Sequence, residues 1–370
     1  MTSSGKISSA QLFCILFVCR VVALFTYMTP ETKNAETVNS VLLSIFFVLF
    51  QLIFAVPVFT VIKKDNSQGI IGAAKKSSAL FSKIISLIYC CAFIFAAGIS
   101  VSRFELFVST VMFPGAEISF FIALLLAASL FAVFRGIQAI GRSSVVILFA
   151  VGISTVFITL SVVKEFQYTN LLPVFMNGLA PLAESSFYSA TRTMELVSIM
   201  IIAPEVTDRL RSGFIKWLIA FGAVAAVLFT CTDGILGAYG AKQLFQLYSL
   251  TLIAKFSIFE RLDDLITGSW VLCTLLKTAF YCLIAAKCIE QGFGKKPTKL
   301  FHTGISAAVF TVFLLTSGTV VTFSEIIGSD IISGLYIAVA VLIPLAVFFS
   351  AKLSGKKRRK EENLCQQNQS

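Results

Sequence analysis

Long apolar runs alternate with short polar connections along nearly the whole chain. Ten runs approach the length that crosses a bilayer, and they occupy residues 7–28, 38–62, 81–102, 118–135, 143–163, 185–204, 212–231, 259–287, 300–321 and 331–351. A hydrocarbon core of about 30 Å requires roughly 20 apolar residues in a helix. The pattern predicts an all-α integral membrane protein with ten transmembrane helices, numbered here as spans one to ten.

Composition excludes an ordinary soluble domain. Hydrophobic residues make up 57% of the chain and charged residues 13%, whereas a soluble domain carries roughly a quarter charged residues. The longest polar connections, 63–80, 164–184 and 232–258, are too short to bury a core of their own. We therefore expect no enzymatic domain, and a short interfacial helix within 243–255. The first run lacks a cleavage site, so we expect it to be a permanent span.

The basic residues fix the predicted orientation. Of 30 lysines and arginines, 21 lie in connections on one side and five on the other, and the remaining four lie within or at the mouths of spans. The positive-inside rule then places both termini in the cytoplasm. We expect a membrane domain over residues 1–355, followed by a basic cytoplasmic tail over 356–370 that lies beside anionic lipid rather than nucleic acid.

Metal and cofactor chemistry is not indicated by the sequence. The nine cysteines mostly fall inside apolar runs without paired metal-ligand spacing, and His302 is the one histidine. A disulfide framework, a metal site or a bound cofactor is therefore not expected.

Candidate binding residues are the charges inside the spans, because an ionisable side chain at the bilayer centre costs roughly 2.5–3.5 kcal/mol on the mildest scale. Arg20 lies near the middle of span one, and Arg192 and Glu195 lie at similar depth in span six. Two interpretations remain open. Arg20 and Glu195 either form a buried ion pair that fixes helix packing, or they bind the carboxylate and the amine of a zwitterionic ligand.

Span eight carries a polar stripe with alternating spacings of four and three residues. Such spacing places side chains on one helix face, which must face the bundle or a hydrated path and not lipid. The stripe either joins helices or lines a pathway, and Lys277 could alternatively extend toward the cytoplasm. Its members are Asp263, Thr267, Trp270, Thr274, Lys277 and Tyr281.

One stretch of span eight carries a family resemblance. Residues 259–272, FERLDDLITGSWVL, resemble the E-R-x-[DE]-x-x-x-x-x-x-W signature of the B subunits of spore germinant receptors, a permease-like family. The start of the chain at 6–13, the loop at 135–142 and Glu195 in span six also resemble that family. The match covers nearly the whole chain in length, span count and motif order.

The resemblance implies the fold of the amino acid–polyamine–organocation superfamily: two inverted five-helix repeats, about 7–163 and 185–351. Spans one and six would be discontinuous, with a ligand site where they meet and spans three and eight as its walls. Its binding residues would be Arg20, Val22, Ala23, Ser189, Arg192, Thr193, Glu195 and Trp270. A structural motif would comprise Glu260, Arg261, Asp263 and Asp264.

Two local features bear on the expected helix breaks. Residues 7–28 contain no glycine, although relatives commonly have glycines where span one unwinds. The break in span six is expected near Thr191–Thr193 from the fold and not from local breakers, since Gly178 and Pro181 precede the apolar run and Pro204 ends it.

The function implied by the resemblance is nutrient sensing. Such a B subunit would bind an amino acid or a similar small nutrient in the membrane domain. It would act in a complex with an A-type membrane subunit and a C-type lipoprotein subunit, in the inner membrane of the spore or in the cell membrane. A secondary amino-acid transporter of the same superfamily is the alternative. A structural or channel subunit without saturable ligand binding is a third possibility.

Overall fold

The computed structural model describes residues 5–25, 40–62, 69–114, 118–172, 178–240, 242–253 and 263–350. Within these ranges the regular structure is helical, apart from an isolated parallel β-bridge between Ile7 and Val206. The last helix, α14, continues through a π-helical turn at Ala338–Leu342 to Ser350. The α-helices are α1 Ser9–Phe25, α2 Ser40–Val61, α3 Ile70–Ser77, α4 Ala79–Phe107, α5 Ser119–Arg135, α6 Ile137–Val162, α7 Leu179–Thr191, α8 Glu195–Ile202, α9 Leu210–Gly240, α10 Gln246–Ile253, α11 Asp263–Phe293, α12 Lys299–Thr316, α13 Val320–Gly328 and α14 Asp330–Ile337.

The predicted spans coincide with helices. Seven helical segments in the described ranges are long and apolar enough to cross a membrane: Val41–Thr60, Ala79–Met112, Ile137–Glu165, Leu210–Gly240, Asp263–Phe293, Lys299–Thr316 and Ile331–Ser350. The shorter apolar helices α1 and α5 correspond to spans one and four, and the pair α7 and α8 corresponds to span six. The all-α membrane class is confirmed, and the arrangement agrees with ten spans.

Several helix ends differ from the prediction. Span three was expected over 81–102 and span eight over 259–287, but α4 runs to Phe107 and α11 runs to Phe293. Apolar runs end where polar residues begin, whereas polar helix formers let a helix continue into the interface. Span nine was expected to reach residue 321, but α12 ends at Thr316.

Three short helices, α3, α10 and α13, lie wholly or mainly in the predicted connections. The short helix expected within 243–255 is present as α10. The connection 63–80 contains α3, which was not predicted. Its apolar residues, among them Ile70 and Ile71, are buried, and Lys75 and Lys76 are exposed. A helix of eight residues is too short to produce the 20-residue apolar run on which the span prediction depends.

Span one differs from the expectation of a discontinuous helix. Helix α1 is uninterrupted from Ser9 to Phe25, and residues 26–28 lie outside the described ranges. The stretch contains neither glycine nor proline, so no residue in it favours leaving the helix. The expected interruption is therefore wrong for this part of the span.

Helix α11 forms the centre of the bundle. In the most apolar 18-residue stretch of each helix, the buried share is 72% in α11 and 61% in α4, against 22% in α6 and 33% in α2. Helix α11 packs most extensively on α4 and also contacts α1, α5, α6 and α12. The polar stripe of α11 faces this interior, while Leu265 and Leu272 on the opposite face are each 43% exposed. The predicted inward orientation of the stripe is confirmed.

Candidate functional site

The sixth span is broken in the middle of the bundle. Helix α7 ends at Thr191, helix α8 begins at Glu195, and residues 192–194 between them are not helical. The predicted break near Thr191–Thr193 is therefore confirmed. Every residue of α8 is buried, so the break exposes main-chain groups and charged side chains to the interior of the protein and not to lipid.

Charged side chains lie at the two helix ends that meet at the break. Arg192 follows the last residue of α7, and its Nη2 donates a hydrogen bond to Ser333 Oγ of α14 at 3.0 Å. Glu195 is the first residue of α8 and is 2% exposed. A helix carries partial positive charge at its N-terminus and partial negative charge at its C-terminus. The two charges therefore match the ends at which they lie, which partly offsets their burial.

Arg20 also contacts the C-terminal turn of α7. Its Nη2 donates to Ser189 Oγ at 3.3 Å, so the structure brings together two of the predicted binding residues. The guanidinium carbon lies 4.2 Å from the ring centroid of Phe47 and 5.7 Å from that of Phe221. Arg20 thereby packs at the junction of α1, α2, α7 and α9, with cation–π contacts to two of these helices.

A charge opposite to that of Glu195 lies on α11, which packs on both α8 and α1. It is the Lys277 ammonium, which lies within electrostatic range of Glu195 and of Cys19 on α1. Among the described residues, no ion pair within 4 Å joins Lys277 to Glu195, and the lysine Nζ lies 5.4 Å from the Tyr281 ring centroid. Glu195 and Lys277, called here the charge pair, thus carry opposite charges on packed helices without direct contact.

Lys277 and Cys19 were absent from the predicted set of binding residues. The signal for Lys277 was its place in the stripe of span eight, but its long side chain was also compatible with extension toward the cytoplasm. Cys19 gave no signal, because a buried cysteine in an apolar run is common packing material. The packing of α1 on α11 brings both toward the break.

The face of α11 beside the charge pair carries polar atoms without partners. Thr274 Oγ1, Thr278 Oγ1 and Trp270 Nε1 are buried and form no hydrogen bond with any described residue. Buried polar groups in proteins are nearly always hydrogen-bonded, to protein, ordered water or ligand. Water or a ligand beside this face would supply the missing partners.

Trp270, one of the predicted binding residues, packs within an aromatic cluster. Its indole ring stacks on Phe107 with centroids 3.9 Å apart and also contacts Phe245 at 5.7 Å. Phe25 and Phe104 complete the group at 6.1 and 6.3 Å. This aromatic cluster joins the ends of α1, α4 and α11 on the side expected to be extracellular, and Trp270 is 0% exposed.

A polar network lies on the side expected to be cytoplasmic. The Ile7 amide donates to Glu205 O at 3.0 Å, and the Thr207 amide donates to Ile7 O at 3.1 Å. The Lys287 ammonium of α11 forms ion pairs with Glu205 at 2.5 Å and with Glu290 at 2.9 Å. We call these contacts the cytoplasmic clamp. They begin three residues after α8, the helix that starts at the charge pair.

The other predicted residues lie around this centre. Val22 is buried in α1, and Ala23 is partly exposed. The Thr193 hydroxyl donates to Ser189 O at 3.1 Å across the break. In the predicted motif, the Tyr248 hydroxyl donates to Asp263 Oδ2 at 3.4 Å and Asp264 is exposed. Glu260 and Arg261 lie outside the described ranges.

A broken span at a buried charged centre of a helical bundle is the arrangement on which secondary transporters build their binding sites. The chain belongs to a family described as spore germination protein, whose sequence profile matches residues 6–348. Spore germination protein KB of Bacillus subtilis (strain 168) is 24% identical over 302 residues, which cover 76% of this chain and 78% of that protein.

Solved structures of transporters share the fold. A substrate-bound, outward-open Na⁺-coupled sialic acid symporter has a TM-score of 0.58 and 12% identity, covering 95% of this chain and 79% of its own. MhsT in complex with L-phenylalanine has a TM-score of 0.55 and 11% identity, covering 94% of this chain and 99% of its own. At these identities the similarity establishes the fold alone.

Proposed function

We propose that this chain is the nutrient-sensing subunit of a spore germinant receptor, and that it binds an amino acid or a similar small zwitterion at the break in span six. The observation that carries the proposal is the charge pair. Glu195 is buried, Lys277 is partly buried, and the two are opposite in sign and not in direct contact, so a ligand with one positive and one negative group compensates both charges at once.

The ligand groups are assigned by charge. The carboxylate of Glu195 binds the ligand amine, and the ammonium of Lys277 binds the ligand carboxylate. Arg20 was the sequence-based candidate for the second role, but its guanidinium donates to Ser189 and packs on Phe47, so we assign the role to Lys277 instead. Val22, Ala23, Ser189, Arg192, Thr193 and Trp270 remain the proposed surroundings of the ligand.

We propose sensing because the chain belongs to the spore germination family. In this role, ligand binding would act by changing the conformation of the protein. Ligand binding changes the equilibrium between two conformations only by its differential affinity for them. A-type and C-type subunits in the inner membrane of the spore would read that change. Both termini would face the cytoplasm. The alternative is a secondary amino-acid transporter, which the fold shared with symporters supports. That function requires the bound ligand to cross the membrane.

The experiment compares binding with uptake in proteoliposomes, using each of the twenty standard L-amino acids in radiolabelled form. We expect saturable binding of at least one amino acid without its accumulation under a proton or sodium gradient. Glu195→Gln and Lys277→Met should each weaken binding by about tenfold or more, because each leaves one buried charge uncompensated. Lys295→Met, at an exposed lysine, is the matched control and should bind as the wild type does.

Gradient-driven accumulation would favour the transporter. Absence of saturable binding for all twenty amino acids would contradict the proposed ligand class. Normal binding by both charge-pair variants would contradict the proposed site.

A further inference from the structure

The break in span six has no local cause in the sequence. Residues 190–195 read Ala-Thr-Arg-Thr-Met-Glu and contain neither glycine nor proline. In a continuous helix the carbonyl of Ala190 would accept a hydrogen bond from the amide of Met194, four residues later. An interaction from elsewhere in the fold must therefore make the broken form the more stable one.

The carbonyl of Ala190 has a partner from another helix. Gln51 of α2 donates from Nε2 to Ala190 O at 2.9 Å. The amide of Thr193 reaches the same oxygen at 3.3 Å, in the three-residue spacing of a tightened last turn. Gln51 is 0% exposed, and its Oε1 has no hydrogen-bond partner among the described residues.

The position of Gln51 in an apolar helix makes the contact specific. It is a buried amide in α2, a helix that is otherwise mostly apolar. In hydrocarbon a polar group without a partner costs several kcal/mol, so a buried glutamine must bind something. Satisfying Ala190 O in this way removes the need for the Met194 amide at that oxygen.

We propose that Gln51 is a positioning residue that keeps span six broken, by donating to Ala190 O in place of the Met194 amide. Glu195 follows Met194 directly, so closing the helix would change the position of its carboxylate relative to Lys277. The effect on helix geometry stands by itself, whereas the effect on ligand binding rests on the function proposed above.

The first test is amide hydrogen exchange of the purified protein in nanodiscs, resolved over residues 188–198. In Gln51→Met, which keeps the length of the side chain and removes the donor, we expect exchange at residues 193–195 to slow about tenfold as the helix closes. A role in packing alone predicts faster exchange, because lost contacts loosen the segment. Unchanged or faster exchange in folded Gln51→Met would overturn the proposal.

Ser186→Ala is the matched control. The Ser186 hydroxyl also joins α7 to α2, by donating to Leu43 O at 3.2 Å, but it lies in α7 before the break. This variant should leave exchange at residues 193–195 as in the wild type. Slowing equal to that in Gln51→Met would mean that any loosening of the α2–α7 contact closes the helix, and would contradict the specific role of Gln51.

The second test removes the competing donor. Proline at position 194 has no amide, and the φ of Met194, −75°, is one that proline adopts. Binding of the radiolabelled L-amino acids should fall about tenfold in Gln51→Met and return to the level of Met194→Pro in the double variant. A double variant as weak as Gln51→Met would contradict the proposal.

The two proposals fail in different ways. If no amino acid binds to the wild type but exchange slows in Gln51→Met, the ligand class is wrong and the positioning role stands. If amino acids bind normally and exchange is unchanged in Gln51→Met, the positioning role is wrong and the proposed function stands.

Discussion

The charged residues inside the membrane differ in what they contact, although they look equivalent in the sequence. Arg20 donates to Ser189 and packs on Phe47, whereas the ammonium of Lys277 lies by the Tyr281 ring and forms no direct ion pair with Glu195 in the described part of the chain. A charge engaged by protein groups contributes to packing, and a charge without a direct counter-charge can bind a ligand. These contacts are why we propose Arg20 as a structural cation and Lys277 as the cation that binds the ligand.

This difference predicts separable effects of two substitutions. Arg20→Met removes the hydrogen bond and the cation–π contacts at the C-terminal turn of α7, and should lower stability by about 1–2 kcal/mol. Lys277→Met should leave stability within about 1 kcal/mol but weaken amino-acid binding by about tenfold. Thermal unfolding in detergent and equilibrium binding measure the two effects. Equal loss of binding in Arg20→Met with unchanged stability would restore Arg20 as the residue that binds the ligand carboxylate.

The sequence identified charged residues of this centre but not which cation lies near Glu195. The depth of Arg20, Arg192 and Glu195 in apolar runs was visible, because charges in hydrocarbon are costly. Which cation faces Glu195 depends on how α1 and α11 are rotated about their axes, and that rotation is set by packing across the bundle. A single sequence carries no direct record of it.

Among the elements, α8 connects the binding centre to the cytoplasmic side. The helix begins with Glu195 and ends at Ile202, and Glu205 of the cytoplasmic clamp follows three residues later. Gln291 of α11 donates to Ile201 O at 2.8 Å, which ties the end of α8 to the same helix that carries Lys277. Movement of α8 on ligand binding would therefore reach the clamp directly.

The clamp predicts a change in accessibility. In Lys287→Met, Glu205 and Glu290 lose their shared counter-charge, so the contacts around Glu205 should open more often. A cysteine placed at the buried position Val206 should then react several-fold faster with a membrane-impermeant thiol reagent applied from the cytoplasmic side. The control is Lys296→Met, at an exposed lysine on the same side, which should not change the rate. Equal rates in Lys287→Met and wild type would mean that the clamp does not hold this side closed.

Elements were predictable from the sequence to the extent that a local pattern defines them. Apolar runs located the spans because bilayer thickness sets their length. The end of α12 at Thr316 was missed because the apolar run continues through residues 320–321, while Thr319 caps α13 by accepting from the Thr322 amide at 3.3 Å. The break in span six could be expected only from the family resemblance, since its partner Gln51 is 139 residues from Ala190.

At the scale of the whole molecule, the distribution of basic residues predicts the orientation in the membrane. With 21 basic residues in connections on one side and five on the other, single cysteines within 63–80 or 287–299 should be labelled from the cytoplasm. Cysteines within 164–184 or 232–258 should be labelled only from outside. Labelling of residue 170 from the cytoplasmic side alone would contradict the ten-span arrangement. The inverted-repeat boundaries at 7–163 and 185–351, and the tail over 356–370, stay predictions, and the tail lies outside the described ranges.

The central claim is that a zwitterion bridges Glu195 and Lys277, and the most direct test varies ligand charge and protein charge together. The affinity of the wild type for the amino acid that binds best is compared with that for its carboxamide, which lacks the negative charge. We expect the wild type to prefer the amino acid by about tenfold or more, and Lys277→Met to lose that preference while Arg20→Met retains it. An undiminished preference in Lys277→Met would contradict the account.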